Sequence, residues 1–184
     1  MRWIPIAAFG TALVAIAGCA TAPPAPDPIV TDTYYVREGM VRAINPPIEA
    51  IWNLQVEVMD DYGNFDPALM TQDHWANLEE QAQLLALASQ RMAQASRYEA
   101  ADPDGPYATA PVGTDLAAIQ HRLDTSTPAY RALSDNLARH SENLLAASRA
   151  QDAALVTQLV NDMQPTCKAC HDAFWYPEEY QNQP

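Results

Sequence analysis

Residues 127–175 read TPAYRALSDNLARHSENLLAASRAQDAALVTQLVNDMQPTCKACHDAFW. Two helices are written in this stretch. Thr127 reads as a cap and Pro128 as the first helical residue, a place where a missing N–H costs nothing. Tyr130, Leu133, Leu137, His140/Ser141, Leu144 and Ala147/Ser148 then recur at spacings of three and four, which puts them on one helical face as far as about Ala150. Asp152 reads as the cap of a second helix. Its stripe is Ala153, Val156, Leu159, Val160 and Met163, and it runs to about Trp175. The connection is too short for anything but a reversal, so the two helices are expected to lie side by side and antiparallel.

The same period extends upstream. Over residues 33–61, Tyr35, Met40, Val41, Ile44, Ile48, Ile51, Trp52, Gln55 and Met59 keep helical spacing. Pro46-Pro47 predicts a kink or short break, with the second half restarting on a proline. Residues 60–67 read as a turn. A further helix starts near Thr71 or Asp73 and runs to about Tyr98, carrying Trp75, Leu78, Ala82, Leu85, Ala88 or Ser89, Met92 and Ala95/Ser96. Residues 101–126 read as a loop opened by Asp102-Pro103-Asp104-Gly105-Pro106, with a short helix over 115–123. No segment alternates with period two for long, so no sheet is expected, and no repeat of 20–50 residues is present. The expected fold is all-α, an antiparallel up-down-up-down four-helix bundle over residues 34–184.

The N-terminus reads differently. Arg2 precedes an uncharged apolar run that is interrupted by Pro5 and Gly10 and is shorter than the ~20 residues a spanning helix needs. Residues 1–18 therefore read as an export signal. The run ends Ile16-Ala17-Gly18-Cys19, which resembles the bacterial lipobox, and that resemblance implies lipidation of Cys19. Ala20 in place of Asp mildly favours the outer membrane on the same resemblance. Pro23, Pro24, Pro26 and Pro28 make residues 19–33 a stiff tether with a reach of roughly 40 Å. The expected location is the periplasm, with a lipid anchor to a membrane.

The formal charge is −13, from 10 basic and 23 acidic residues. Phosphate binding runs on Lys and Arg, so nucleic acid is not an expected partner. Loss of Arg2 with the signal makes the exported chain more acidic still. The groups Asp60-Asp61, Glu79-Glu80 and Glu178-Glu179 would steer a basic protein partner.

Cys167-Lys168-Ala169-Cys170-His171 has the C-x-x-C-H spacing of c-type haem attachment. Positions i, i+3 and i+4 share a helix face. Two thiols can therefore add to the two vinyl groups of one porphyrin edge, with His171 beneath the iron as proximal ligand. A redox dithiol would need a βαβ setting, and none is expected. A disulfide between these two cysteines closes too small a ring to stabilise much. Zinc would need a fourth ligand, which His140 or His121 would have to fold back to supply. One haem c accounts for Cys167 and Cys170, and a lipid accounts for Cys19.

A helical chain carrying C-x-x-C-H near its C-terminus resembles the cytochrome c′ superfamily. Two patches carry the likeness: CKACHDAFWYPEEY at residues 167–180, and Met40-x-x-x-Ile44-x-Pro46 followed by Ile51-Trp52. Many cytochromes c′ have a basic residue a few positions after the haem His, whereas here Trp175 stands there and no Lys or Arg follows. In low-spin members of the superfamily a Met on the first helix is the sixth ligand, and Met40 fits that place. Met92 is the next candidate, and a vacant or water-bound position the third. The up-down topology puts residues 35–48, 88–98, 130–137 and 163–175 around the haem. His74, His121 and His140 are expected elsewhere, with His121 in the loop. Trp52, Trp75 and Trp175 are expected to pack. Covalent haem with His/Met ligation, held on a lipid-anchored tether, suits a periplasmic, membrane-anchored, one-electron carrier, and with only Arg37, Arg42 and Arg91 at the haem end as candidate distal groups an enzyme is not expected. The alternative is a five-coordinate haem protein that binds NO, CO or O₂. Members of the superfamily often dimerise, and nothing in this sequence decides its oligomeric state.

Overall fold

The computed structural model describes residues 33–63 and 65–176. The expected export signal (residues 1–18), Cys19 and most of the expected tether lie outside the described residues. The chain forms β1 (Thr33–Tyr35), α1 (Val36–Gly39), a π-helical segment (Met40–Ile44), α2 (Asn45–Glu57), a 3₁₀ turn (Pro67–Leu69), α3 (Gln72–Gln94), β2 (Arg97–Glu99), α4 (Leu116–Thr125), α5 (Thr127–Ala150), α6 (Ala153–Cys170) and a second π-helical segment (His171–Trp175).

The four long helical runs form the bundle. The antiparallel sense of α3 and α5 is fixed by their cross-links. Gln151 reaches Gln72, Arg149 reaches Glu79 and Gln83, Glu142 reaches Gln90, and Arg131 reaches the carbonyl of Ala95. Between these helices Ser89 and Ser141 meet at 3.4 Å. Small side chains allow close approach there, and each hydroxyl satisfies itself on a carbonyl of its own helix. The core is aliphatic, with Ile44, Ile51, Leu78, Leu85, Leu144, Val156 and Met163 almost inaccessible.

The helix ends follow local chemistry. Thr71 accepts from the His74 N–H, and the His74 imidazole accepts from the Thr71 N–H, both at 3.2 Å. This reciprocal cap explains His74 and puts it far in sequence from the haem motif. Asp115 and Asp152 cap α4 and α6 through Ala118 and Leu155. At the other boundary of the second turn, Gln151 adopts φ 50°, the left-handed conformation that closes a helix C-terminus.

Several expectations need correction. Residues 33–35 and 97–99 form a parallel two-stranded ladder, pairing Thr33 with Arg97, Tyr34 with Tyr98 and Tyr35 with Glu99. Three-residue strands are too short to show a period of two. The third helix therefore ends at Gln94, not Tyr98, and the first begins at Val36. Tyr34, not Tyr35, is the buried residue of β1. His121 lies between α3 and α5, on α4, which is the short helix expected over 115–123. Ser126, not Thr127, is the residue before α5, and the Thr127 hydroxyl donates to the Leu123 carbonyl. Trp52 is 37% exposed and does not pack in the core, whereas Trp75 does. Leu54 and Val58 take the inward places instead, because they follow Ile48 and Ile51 at steps of three and four along α2, whereas Trp52 lies one residue round the helix from Ile51.

Candidate haem site

Helix α6 passes through Pro165 without ending. The proline removes one backbone donor. One residue on, the Thr166 hydroxyl donates to the Asp162 carbonyl at 2.8 Å. One turn later the helix carries Cys167 and Cys170, and His171 opens the second π-helical segment. The segment is closed by the Tyr176 N–H donating to the His171 carbonyl at 2.8 Å. Arg122 of α4 holds it from outside, donating to the Phe174 carbonyl at 2.8 Å.

Cys167, Cys170 and His171 open onto one cavity of about 250 Å³ at this end of the bundle. Its other walls are Met40 and Ile44, Met92 of α3, Tyr130 and Leu137 of α5, and Phe174 and Trp175. The four sequence windows expected to surround the haem thus meet here. Pro111, from the α3–α5 connection, also lines the cavity and gave no periodic signal in the sequence. That connection is clamped by Arg37, whose guanidinium donates to the carbonyls of Tyr107 and Thr109. The guanidinium groups of Arg37 and Arg42 lie 5.7 and 5.4 Å from the Tyr107 ring centre.

Met40 opens the first π-helical segment, which is closed by the Asn45 N–H donating to the Met40 carbonyl. Pro46 and Pro47 follow at once, at the start of α2. Neither can donate back to the preceding turn, so the α ladder lapses and the wider π turn takes its place. The expected kink is therefore a π-helical segment immediately upstream of the prolines.

Met92 is buried, and its sulfur accepts the Tyr130 hydroxyl at 3.3 Å. The Tyr130 ring is gripped edge-on by Tyr98 and Phe174, with centroids 4.7 and 5.1 Å away. Burial pushes the Tyr130 hydroxyl well above its ordinary range, so it remains a donor. Burial also raises the Cys167 thiol, and burial plus the neighbouring Cys167 pushes Cys170 up to about 12. Burial lowers His171 against the smaller opposing pull of Asp172, which keeps its imidazole neutral. His140 is lowered by burial too, but lies outside the cavity wall. Among the described residues no group of three or more His, Cys, Asp or Glu is placed to hold a metal ion.

Residues 125–175, from the end of α4 through the second π-helical segment, match the family model described as Cytochrome C'. The match supports a cytochrome c′ superfamily assignment. No curated protein and no solved structure matches the chain. For a chain of the cytochrome c′ superfamily the implied group is covalently bound haem c. The donors on the cavity wall suit it. Two protonated thiols are what vinyl addition consumes, a neutral imidazole is what iron ligation needs, and the walls are largely apolar, as a porphyrin face requires. Arg37 is the charged side chain on the wall, where a cation favours carboxylates.

Proposed function

We propose that this chain is a monohaem c-type cytochrome that carries single electrons in the periplasm, tethered to a membrane by a lipid on Cys19. Cys167 and Cys170 would hold the haem through thioethers, and His171 and Met40 would be its axial ligands. The observation that carries this reading is the convergence of Met40, His171 and both thiols on one apolar cavity.

The bound haem supplies a ferric–ferrous couple. The chain's own residues do the rest. His171 presents a neutral nitrogen from a helix whose two cysteines fix its height. Met40 presents a soft thioether, a ligand that raises the potential and favours low spin. Such ligation changes little between oxidation states, which suits electron exchange. Apolar walls keep bulk water from the metal. No acid–base pair of a peroxidase type lines the cavity among the described residues: the basic side chain there, Arg37, is occupied with two carbonyls. An acidic surface fits a basic redox partner.

Optical spectra of the holoprotein, with and without CO, test this. The wild type is expected to be low-spin in both oxidation states, with a methionine–iron charge-transfer band and little CO binding. Met40→Ala should lose the band, turn high-spin and bind CO readily. A wild type that is already high-spin and CO-reactive would replace the carrier with a gas-binding protein. Cys19→Ser should release the protein from membranes without changing the spectrum.

A further inference from the structure

Two methionines, Met40 and Met92, line the same cavity as His171. As soft ligands they are chemically equivalent. Their surroundings are not. Met92 is 3% exposed, and its sulfur accepts the Tyr130 hydroxyl at 3.3 Å. No hydrogen-bond donor reaches the Met40 sulfur among the described residues.

We infer that Tyr130 is a positioning residue that decides which methionine serves the iron, by holding the Met92 sulfur and leaving Met40 free. The inference rests on the Met40 reading above. Tyr130 is well suited to the task. Its ring is 2% exposed and caught edge-on between Tyr98 and Phe174, so the hydroxyl has little freedom to turn away. The backbone of Met92 is held as well. The Tyr98 hydroxyl donates to the Met92 carbonyl at 3.0 Å, at the C-terminal end of α3. Two tyrosines thus fasten Met92 at its sulfur and at its carbonyl. A methionine that merely filled space would need neither. Releasing one neutral hydrogen bond of this kind shifts an equilibrium by roughly fivefold.

The test uses the haem-loaded protein and reads ligation, not activity. Met40→Ala is expected to be high-spin. Met40→Ala/Tyr130→Phe should regain a low-spin fraction and the methionine–iron band, because Met92 is now free to bind. Adding Met92→Leu should abolish that gain. In the otherwise wild-type protein, Tyr130→Phe should give a second set of haem methyl resonances in ferric proton NMR, absent from Tyr130→Phe/Met92→Leu. A high-spin double variant with unchanged helix content, or a single set of resonances in Tyr130→Phe, overturns the inference. So does a low-spin gain that survives Met92→Leu, which would mean another ligand. A wild type that is high-spin overturns the Met40 reading together with this inference. A low-spin wild type with a high-spin Met40→Ala variant, both insensitive to Tyr130→Phe, overturns this inference alone.

Discussion

Two π-helical segments face one cavity, and each begins at a residue proposed to bind the iron, Met40 in one and His171 in the other. They differ in what holds them. The segment Met40–Ile44 sits inside a longer helical run, and its form follows from the chain itself: Pro46 and Pro47 cannot donate the hydrogen bonds that would continue an α-helix. The segment His171–Trp175 ends its helix, and contacts distant in sequence support it: Arg122 on the Phe174 carbonyl and the burial of Phe174 against Tyr130. The same backbone form arises in one case from covalent structure and in the other from packing. Local changes should therefore break the first, while the second should answer to tertiary ones.

The largest expected effect comes from restoring the missing donors. Pro46→Ala/Pro47→Ala should let the α ladder close through residues 42–47. Removing a π turn rephases the chain before it by about 100°, one residue's rotation. Met40 would then leave the cavity. The expected readout is loss of the methionine–iron band with both thioethers intact. An unchanged band would show that the prolines are not what maintains the segment.

The next effect concerns the approach to Met40. Tyr34 is buried, and its hydroxyl has no hydrogen-bond partner. Burial pushes it up to about 12. A tyrosine raised in the folded state contributes stability that is complete below its ordinary value near 10 and is lost as pH climbs toward 12. That loss is about 2–3 kcal/mol. Melting temperatures taken from pH 9 to 12 should fall, and Tyr34→Phe should flatten the fall while changing little at pH 7.

Gly39 lies directly against the Tyr34 ring, and an added methyl would collide with its hydroxyl. Gly39→Ala should cost about 1–3 kcal/mol, as overpacking does, and appear as a lower denaturant midpoint. Smallest is Arg122→Ala, which removes one charged donor from the Phe174 carbonyl. A loss of about 1.5–3 kcal/mol is the ceiling for a bond to a charged group, and partial exposure of the arginine puts the expected value at or below its lower end. It should destabilise the His171 segment while sparing the Met40 band. A lost band after Arg122→Ala would show that the two segments are coupled.

What the sequence conveyed follows the same division. The bundle was legible because four stripes keep a helical period and because Thr71 and Asp152 punctuate it. Cys167, Cys170 and His171 were legible because their spacing is itself the chemistry. The four windows around the cavity followed from topology alone. The Tyr130–Met92 bond was not legible, since no spacing rule pairs residues 38 apart. The clamp of Arg37 on Tyr107 and Thr109 was missed for the same reason. The short ladder was hidden because three residues carry no period, and Trp52 was misplaced because it borders the face that Ile48, Ile51, Leu54 and Val58 bury, a boundary that spacing alone does not draw.

That short ladder has a mechanical consequence. A tug arriving at Thr33 from the N-terminal side would be met first by strand pairing with Arg97, Tyr98 and Glu99, and by the Arg37 N–H on the Ala100 carbonyl at 3.1 Å. The load would pass into the loop after α3 before it reached the turn that carries Met40. If the chain is held by the proposed lipid on Cys19, the ladder would act as a strain relief, taking up a pull on residue 33 before it reached the cavity.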